Sequence, residues 1–410
     1  MSDFFQNGIV TTLHEVGGRS RFDLEREVAS HAKQCPITLI LPCLVSELEG
    51  EALERIVDTL CTVSYIERII IGLDRADASG FKKALGYFGK LPQIHQVIWN
   101  DGPRVNILLE EFRNQGLAPD KMGKGHNLWT CLGLLQASRL EGVVAIHDCD
   151  IVNYDSRMLA RLVYPVVSPS SSYVFAKAYY ARVSENVLYG RISRLFVTPL
   201  LRALKRVLGP SRYLDFLDSF RYPLAGECAM RVNVARRLHL TTDWGLEIGM
   251  LSEIYRDHST RQICQVDIAD IYDHKHQSLG KATPEIGLNR MCRDIALGVL
   301  EGLAARGQVL DLGRVRAVVT AYQRIVLDLM DSYADVAAIN GLTIDRVGES
   351  LAASTFAESL YQAGRSFVEE GCYGPLTPTW DEVIRNQPDI LVRLQSAVPL
   401  DRAEYGQFCN

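Results

Sequence analysis

Apolar positions along the chain repeat with two periods, one suited to strands and one to helices. Residues 36–44 (PITLILPCL) form an apolar run punctuated by Pro36 and Pro42, after which Leu53, Ile56, Val57 and Leu60 recur at helical spacing. Strand-like runs follow at 67–73 (ERIIIGL), 95–99 (HQVIW) and 143–147, with a helical stretch over 124–138 before the last. Repeated β-α-β units predict an α/β fold built on a twisted, mainly parallel sheet flanked by helices. The middle of the chain adds a strand at 173–180 (YVFAKAYY), an amphipathic helix over about 189–208 and a loop rich in Pro and Gly (YPLAGE). A helix near 245–257 and a strand at 263–268 follow, and this part is expected to complete the sheet and wall a cleft. From about 291 strand signals stop, and 291–306, 312–335, 344–370 and 380–396 carry helical periodicity, which predicts a C-terminal helical appendage. Within it Val315, Val318, Val319, Tyr322, Ile325, Val326 and Leu329 line one stripe that needs a partner surface.

Composition narrows the function classes. The net charge of −5 gives no global electrostatic reason to bind nucleic acid or an anionic membrane. The N-terminal segment lacks the basic start and apolar core of a secretory signal, and no later apolar run is long enough to span a bilayer, so a cytoplasmic location is expected. Ten cysteines include no CxxC pair, and Cys43, Cys61, Cys131 and Cys264 sit inside apolar segments; all read as reduced structural thiols.

Candidate chemistry gathers at a few points. GVVAIHDCDI, residues 142–151, is a buried strand that ends in Asp148-Cys149-Asp150, where open α/β sheets bind ligands. Carboxylates at a strand end suit Mg²⁺ or Mn²⁺ with a substrate diphosphate; an exposed turn with capping acids is the competing reading. Gly123-Lys124-Gly125 opens a helix, with glycines that admit close backbone approach and a lysine that attracts phosphate. No P-loop or complete dinucleotide fingerprint is present. Arg191 in Tyr189-Gly190-Arg191-Ile192-Ser193 is read as an anion receiver, whereas Arg202, Lys205 and Arg206 read as a solvated face. His274 and His276 follow a strand and, one residue apart, point to opposite sides of an extended segment.

Taken together, LPCLVSE, GKGHNLW, HDCD, GRIS, PLAGE, WGLEIGML and DHKHQ resemble, in order and spacing, the glucosyl-3-phosphoglycerate and mannosyl-3-phosphoglycerate synthases, retaining glycosyltransferases of the GT-A fold. The resemblance covers about 36–280. It implies transfer of glucose from UDP-glucose to the 2-hydroxyl of 3-phospho-D-glycerate, with a divalent metal, Mg²⁺ or Mn²⁺. It suits a nucleotide-sugar-binding half at 36–150 and an acceptor-binding half at 151–290, to which the reading of the chain itself adds an N-terminal extension at 1–35 and a helical region at 291–410. By the same resemblance Pro42, Leu44, Glu47, Lys124, Asp148 and Cys149 would contact the nucleotide-sugar, and Asp150 and His274 would bind the metal. Gly190, Arg191, Ile192, Ser193 and His276 would grip the acceptor. Glu247 would hold the donor hexose, and the backbone at Leu224–Ala225 would face the reacting carbon. Three points depart from the family pattern: the acid near the nucleoside pocket falls at Ser46 or Glu47, residues 74–77 lack the usual small polar side chains, and the tail is longer than in the short bacterial members. GDP-mannose as donor and a scaffold without turnover are the alternatives; Asp150, His274, Arg191 and Glu247 together argue against the scaffold. No nucleic acid or membrane partner is expected, and a homodimer is, with the tail at or near the interface.

Overall fold

The structure, a computed structural model, describes residue 6 and residues 8–273, 287–371 and 376–406. Nine strands make the sheet: β1 (Thr11–Leu13), β2 (Ile37–Leu44), β3 (Ile66–Asp74), β4 (Ile94–Trp99), β5 (Val143–Ile146), β6 (Phe175–Ser184), β7 (Val187–Leu188), β8 (Cys228–Arg231) and β9 (Ile263–Tyr272). Their order is β1-β9-β6-β8-β5-β2-β3-β4, with β7 hairpinned onto β6. All neighbours on the main path are parallel except β8, which runs against both β5 and β6. The apolar runs of β2 and β3 reflect burial on both faces: Leu39, Ile40, Leu41, Ile69, Ile70 and Ile71 are all inaccessible to solvent.

One apolar layer joins the helices Arg21–Ala32, Glu51–Leu60, Ala78–Phe88 and Ser156–Val167 to one face of the sheet. The other face carries Pro103–Arg113, Lys124–Ala137, Thr198–Leu208 and Leu246–Asp257, together with the C-terminal helices. Residues 1–35, expected as an extension, supply β1 at the sheet edge beside β9 and a helix that packs on Ser156–Val167. A three-residue strand is too short for periodicity to show.

Three helical expectations change in detail. The segment 189–208 becomes helical only after Gly190 (φ +80°), and it opens with a π-helical turn, Ser193–Val197, before Thr198–Leu208. Pro199 offers no N–H to the turn before it, and the Tyr322 hydroxyl donates to the Leu195 carbonyl instead, at 2.6 Å. The stretch 380–396 is two helices, Trp380–Asn386 and Ile390–Tyr405, because Pro388 forces Gln387 out of the helical region (φ −138°, ψ 80°). The stripe of Leu312–Ile339 has its partner within the chain: Val315, Val318, Tyr322, Ile325 and Val326 are buried against Thr198–Leu208 and the neighbouring helix Arg346–Glu370. No helix among the described residues is long and apolar enough to cross a membrane.

Candidate active site

The chain leaves β5 at Ile146 and passes through His147, Asp148, Cys149 and Asp150 with alternating side-chain direction. Asp148 and Asp150 are partly exposed, while Cys149 turns into the apolar layer that also holds Cys43. The Cys149 side chain therefore faces away from the side on which Asp148 and Asp150 are accessible, which leaves its backbone for the expected nucleotide contact. His147 is fully buried, and burial pushes its pKa down to about 4, so it stays neutral.

Lys124, the first residue of its helix, joins this strand end to a second helix. Its Nζ lies 2.7 Å from Asp148 Oδ1 and 3.3 Å from Glu247 Oε1, and Glu247 stands in the first turn of Leu246–Asp257. Burial works against the ammonium charge, but Asp148 and Glu247 outweigh it and raise the Lys124 pKa above its ordinary value. Asp150 is pushed the other way for a carboxyl, up to about 7, by burial first and then by the Asp148 charge, with Glu47 adding to the repulsion. Glu47 thus belongs to the same electrostatic neighbourhood, from the short turn Val45–Glu49 that follows β2.

Local sequence explains the closeness. A Cβ at Gly125 would fall 1.9 Å from the Thr241 carbonyl oxygen, so the glycine lets the Lys124 helix settle on the segment that leads to Glu247. The close approach that this glycine admits is, in the structure, an approach to the backbone at Thr241. A Cβ at Gly226 would fall 2.4 Å from Asp148 Oδ2 and 2.8 Å from Lys124 Nζ, which places the PLAGE turn directly against the ion pair. In that turn the Ala225 N–H donates to the Tyr222 carbonyl, leaving Leu224 partly exposed and Ala225 buried.

The other expected residues are spread over the end of β2 and the segment that follows β7. Pro42 and Leu44 end β2, Leu44 being exposed. Arg191 is partly exposed and lies 3.6 Å from Asp345 of the tail. Ile192 is buried in the core, so only its backbone could meet a ligand, whereas the Ser193 hydroxyl is buried without a hydrogen-bond partner among the described residues. Gly190 supplies the positive φ that turns the chain into this helix. His274 and His276 lie outside the described residues.

Sequence reasoning missed two buried acids near the cleft. Glu227 is inaccessible and accepts hydrogen bonds from Tyr180 (2.7 Å) and Tyr272 (2.6 Å), whose rings stack 3.7 Å apart; burial, then the Asp148 charge, raises its pKa. Asp74 ends β3, accepts 2.7 Å from Asn100 Nδ2, and is pushed up to about 6, chiefly by burial. Next to it Arg75 takes φ +58°, a left-handed conformation uncommon outside functional turns. The sequence signals were an acid that ends an apolar run at Asp74 and an acid just before one at Glu227.

Among the described residues no three His, Cys, Asp or Glu side chains converge as a metal site. Asp148 and Asp150 nonetheless fit Mg²⁺ or Mn²⁺, hard ions that take one or two protein carboxylates and fill the rest of their shell with substrate phosphate and water. The raised Asp150 pKa reflects burial first and then the neighbouring Asp148 charge, and a cation would relieve both.

The chain matches no protein-family model. It is 41% identical over 404 residues to the glucosyl-3-phosphoglycerate synthase of Persephonella marina, covering 98% of this chain and 100% of that one. It is 32% identical over 407 residues to the enzyme of that name from Methanococcoides burtonii, covering 98% and 99%. Among solved structures it is similar to the glucosyl-3-phosphoglycerate synthase of Mycobacterium tuberculosis in complex with Mg²⁺ and uridine diphosphate. That match has a TM-score of 0.52 at 21% identity and covers 72% of this chain and 87% of that one. The same protein with Mn²⁺, UDP-glucose and phosphoglyceric acid matches at a TM-score of 0.50 and 21% identity, over 72% and 88%. At that identity the likeness speaks for the fold.

Proposed function

The chain belongs to the glucosyl-3-phosphoglycerate synthase family, and on that premise we propose that it moves glucose from UDP-glucose to the 2-hydroxyl of 3-phospho-D-glycerate with retention of the α-configuration. The observation that carries the reading is the Asp148–Lys124–Glu247 chain at the end of β5, which sets a cation and two carboxylates where a diphosphate and a hexose would meet. Asp150, with His274, would hold the divalent ion, and Asp148 would contact the nucleotide; the chemistry such an ion supplies when bound is neutralisation of the diphosphate charge as UDP departs.

The rest falls to the chain's own groups. Lys124 adds a positive charge beside the departing phosphates. Glu247, already fixed by Lys124, accepts hydrogen bonds from hexose hydroxyls and orients the sugar, which argues for an orienting role over that of a covalent nucleophile. The backbone at Leu224–Ala225 faces the reacting carbon. Arg191, the Ser193 hydroxyl and His276 clamp the acceptor's phosphate and carboxylate, and the attacking hydroxyl passes its proton to the leaving phosphate oxygen on the same face. The reading extends to a cytoplasmic homodimer with no nucleic acid or membrane partner, supported by the net charge of −5, by two charged, water-soluble substrates, and by the apolar side chains Ile339, Val347 and Leu351 exposed on the tail. The test is a donor panel crossed with 3-phosphoglycerate and Mg²⁺: UDP-glucose should give the highest kcat/KM, and preference for GDP-mannose would replace the donor.

A further inference from the structure

Lys177 lies where a lysine is least expected. It sits in β6 with 1% of its surface accessible, and it makes no hydrogen bond to, and no ion pair within 4 Å of, any described residue. Most buried ammonium groups have a carboxylate or a ring of carbonyls, because losing water without a replacement is costly.

Register shows what it lies under. Lys177 pairs with Cys228 of β8, and Cys228 pairs with Ile146 of β5, so these three side chains share one face of the sheet. Asp148, two residues beyond Ile146, rises from the end of the same row. The Cys228 thiol lies 3.7 Å from the Met250 sulfur, three residues along the helix from Glu247. Lys177 therefore belongs to the floor beneath the Lys124–Asp148–Glu247 chain. Burial lowers its pKa, and Cys228, Glu247 and Glu227 pull in the opposite direction, as befits an ammonium within electrostatic reach of both acids.

We propose that Lys177 is a positioning residue for the donor hexose, its buried ammonium bracketing the Glu247 carboxylate from the sheet side while Lys124 brackets it from the helix side. The assignment rests on the reading of Glu247 as the hexose-orienting group. In the structure Lys124 serves both Asp148 and Glu247. A bound diphosphate competes for the Lys124 charge, and Lys177, held in β6 with 1% of its surface accessible, keeps Glu247 facing the sugar.

The test is Lys177→Met, which preserves length and removes the charge, measured on the full chain beside wild type. Wild type must first make product from UDP-glucose and 3-phosphoglycerate; if it does not, the functional reading fails whatever the variant does. Given a working wild type, the variant is expected to melt no lower than it, because no folded-state partner is lost, and to bind UDP with Mn²⁺ within about twofold by calorimetry. Its kcat for glucosyl transfer should fall about tenfold or more, on the scale of a lost orienting interaction. Lys177→Arg should recover part of that loss. The inference is overturned if kcat stays within twofold, if UDP affinity falls in step with turnover, or if Lys177→Met fails to fold, which would make the ammonium a structural partner.

Discussion

Asp150 carries the most opposed charge in the cleft. Its carboxyl is raised to about 7 by burial and by Asp148, so proton and divalent cation compete for it near neutrality. Asp150→Ala should cost turnover on the order of a hundredfold, with EDTA abolishing the activity that remains, whereas Asp148→Asn should chiefly weaken nucleotide binding, read as KM for UDP-glucose. Undiminished activity in EDTA would count against Asp150 as a metal ligand. His126 gives a stability test at the same scale. Its ring is fully buried with neither nitrogen bonded to a described residue, and burial, then Arg113, pushes its pKa down to about 4. The unfolded chain therefore binds a proton that the native state refuses between about pH 6.5 and pH 4, and stability is lost as pH falls through that window, by at most about 3 kcal/mol. His126→Gln should flatten that limb of a melting-temperature profile against pH; an unchanged acid limb would show that the ring titrates freely. Asp148, Asp150, Lys124 and Glu247 were legible in the sequence because a charge ending an apolar run or opening a helix stands out. Glu227, Asp74 and Lys177 were not: a lone polar residue inside or beside an apolar strand has the same local pattern whether it packs, pairs or binds.

At the level of elements, the tail explains what periodicity could not. Its helices hold the acceptor segment at several points. Arg194, one turn into the helix that Arg191 opens, bonds the Tyr189 and Leu188 carbonyls and lies 2.6 Å from Glu349, with both charged groups buried. Thr343 pairs with the β6–β7 hairpin, its N–H donating to Asn186 and its carbonyl accepting from Leu188. Arg191→Ala should raise the KM for 3-phosphoglycerate while leaving UDP affinity nearly unchanged, and Arg191→Lys should rescue poorly because it lacks the bidentate fork. Glu349→Ala should do both things that a buttress implies: lose about 3 kcal/mol of stability, since it strands a buried guanidinium, and raise the same acceptor KM. A variant that melts early with its acceptor KM intact would confine Glu349 to stability. The strands β2, β3, β5, β6 and β9 were readable from apolar runs. The π-turn at Ser193–Val197 and the break at Pro388 depend on a missing N–H and its consequences, which hydrophobic spacing does not register.

Across the whole molecule the tail spans both halves of the cleft. Besides Glu349 on the acceptor side, Trp380 stacks on Trp129 at 4.4 Å and donates to its carbonyl, and Asp401 pairs with Arg104, which ties the last helices to the nucleotide side. Removing everything after residue 290 would strip this packing, so assembly is better tested on the intact chain. Light scattering should give a dimer for the full-length protein and a folded monomer for Ile339→Glu combined with Val347→Glu; a dimer unmoved by both charges would take the tail out of the interface. The shared claim at every scale is that donor and metal meet where Lys124 joins β5 to the Glu247 helix. Anomalous scattering from a crystal grown with Mn²⁺ and UDP tests it in one map: a manganese peak is expected within bonding distance of the Asp150 carboxylate and the UDP phosphates, and a well-ordered UDP with its manganese bound away from Asp148 and Asp150 would contradict it.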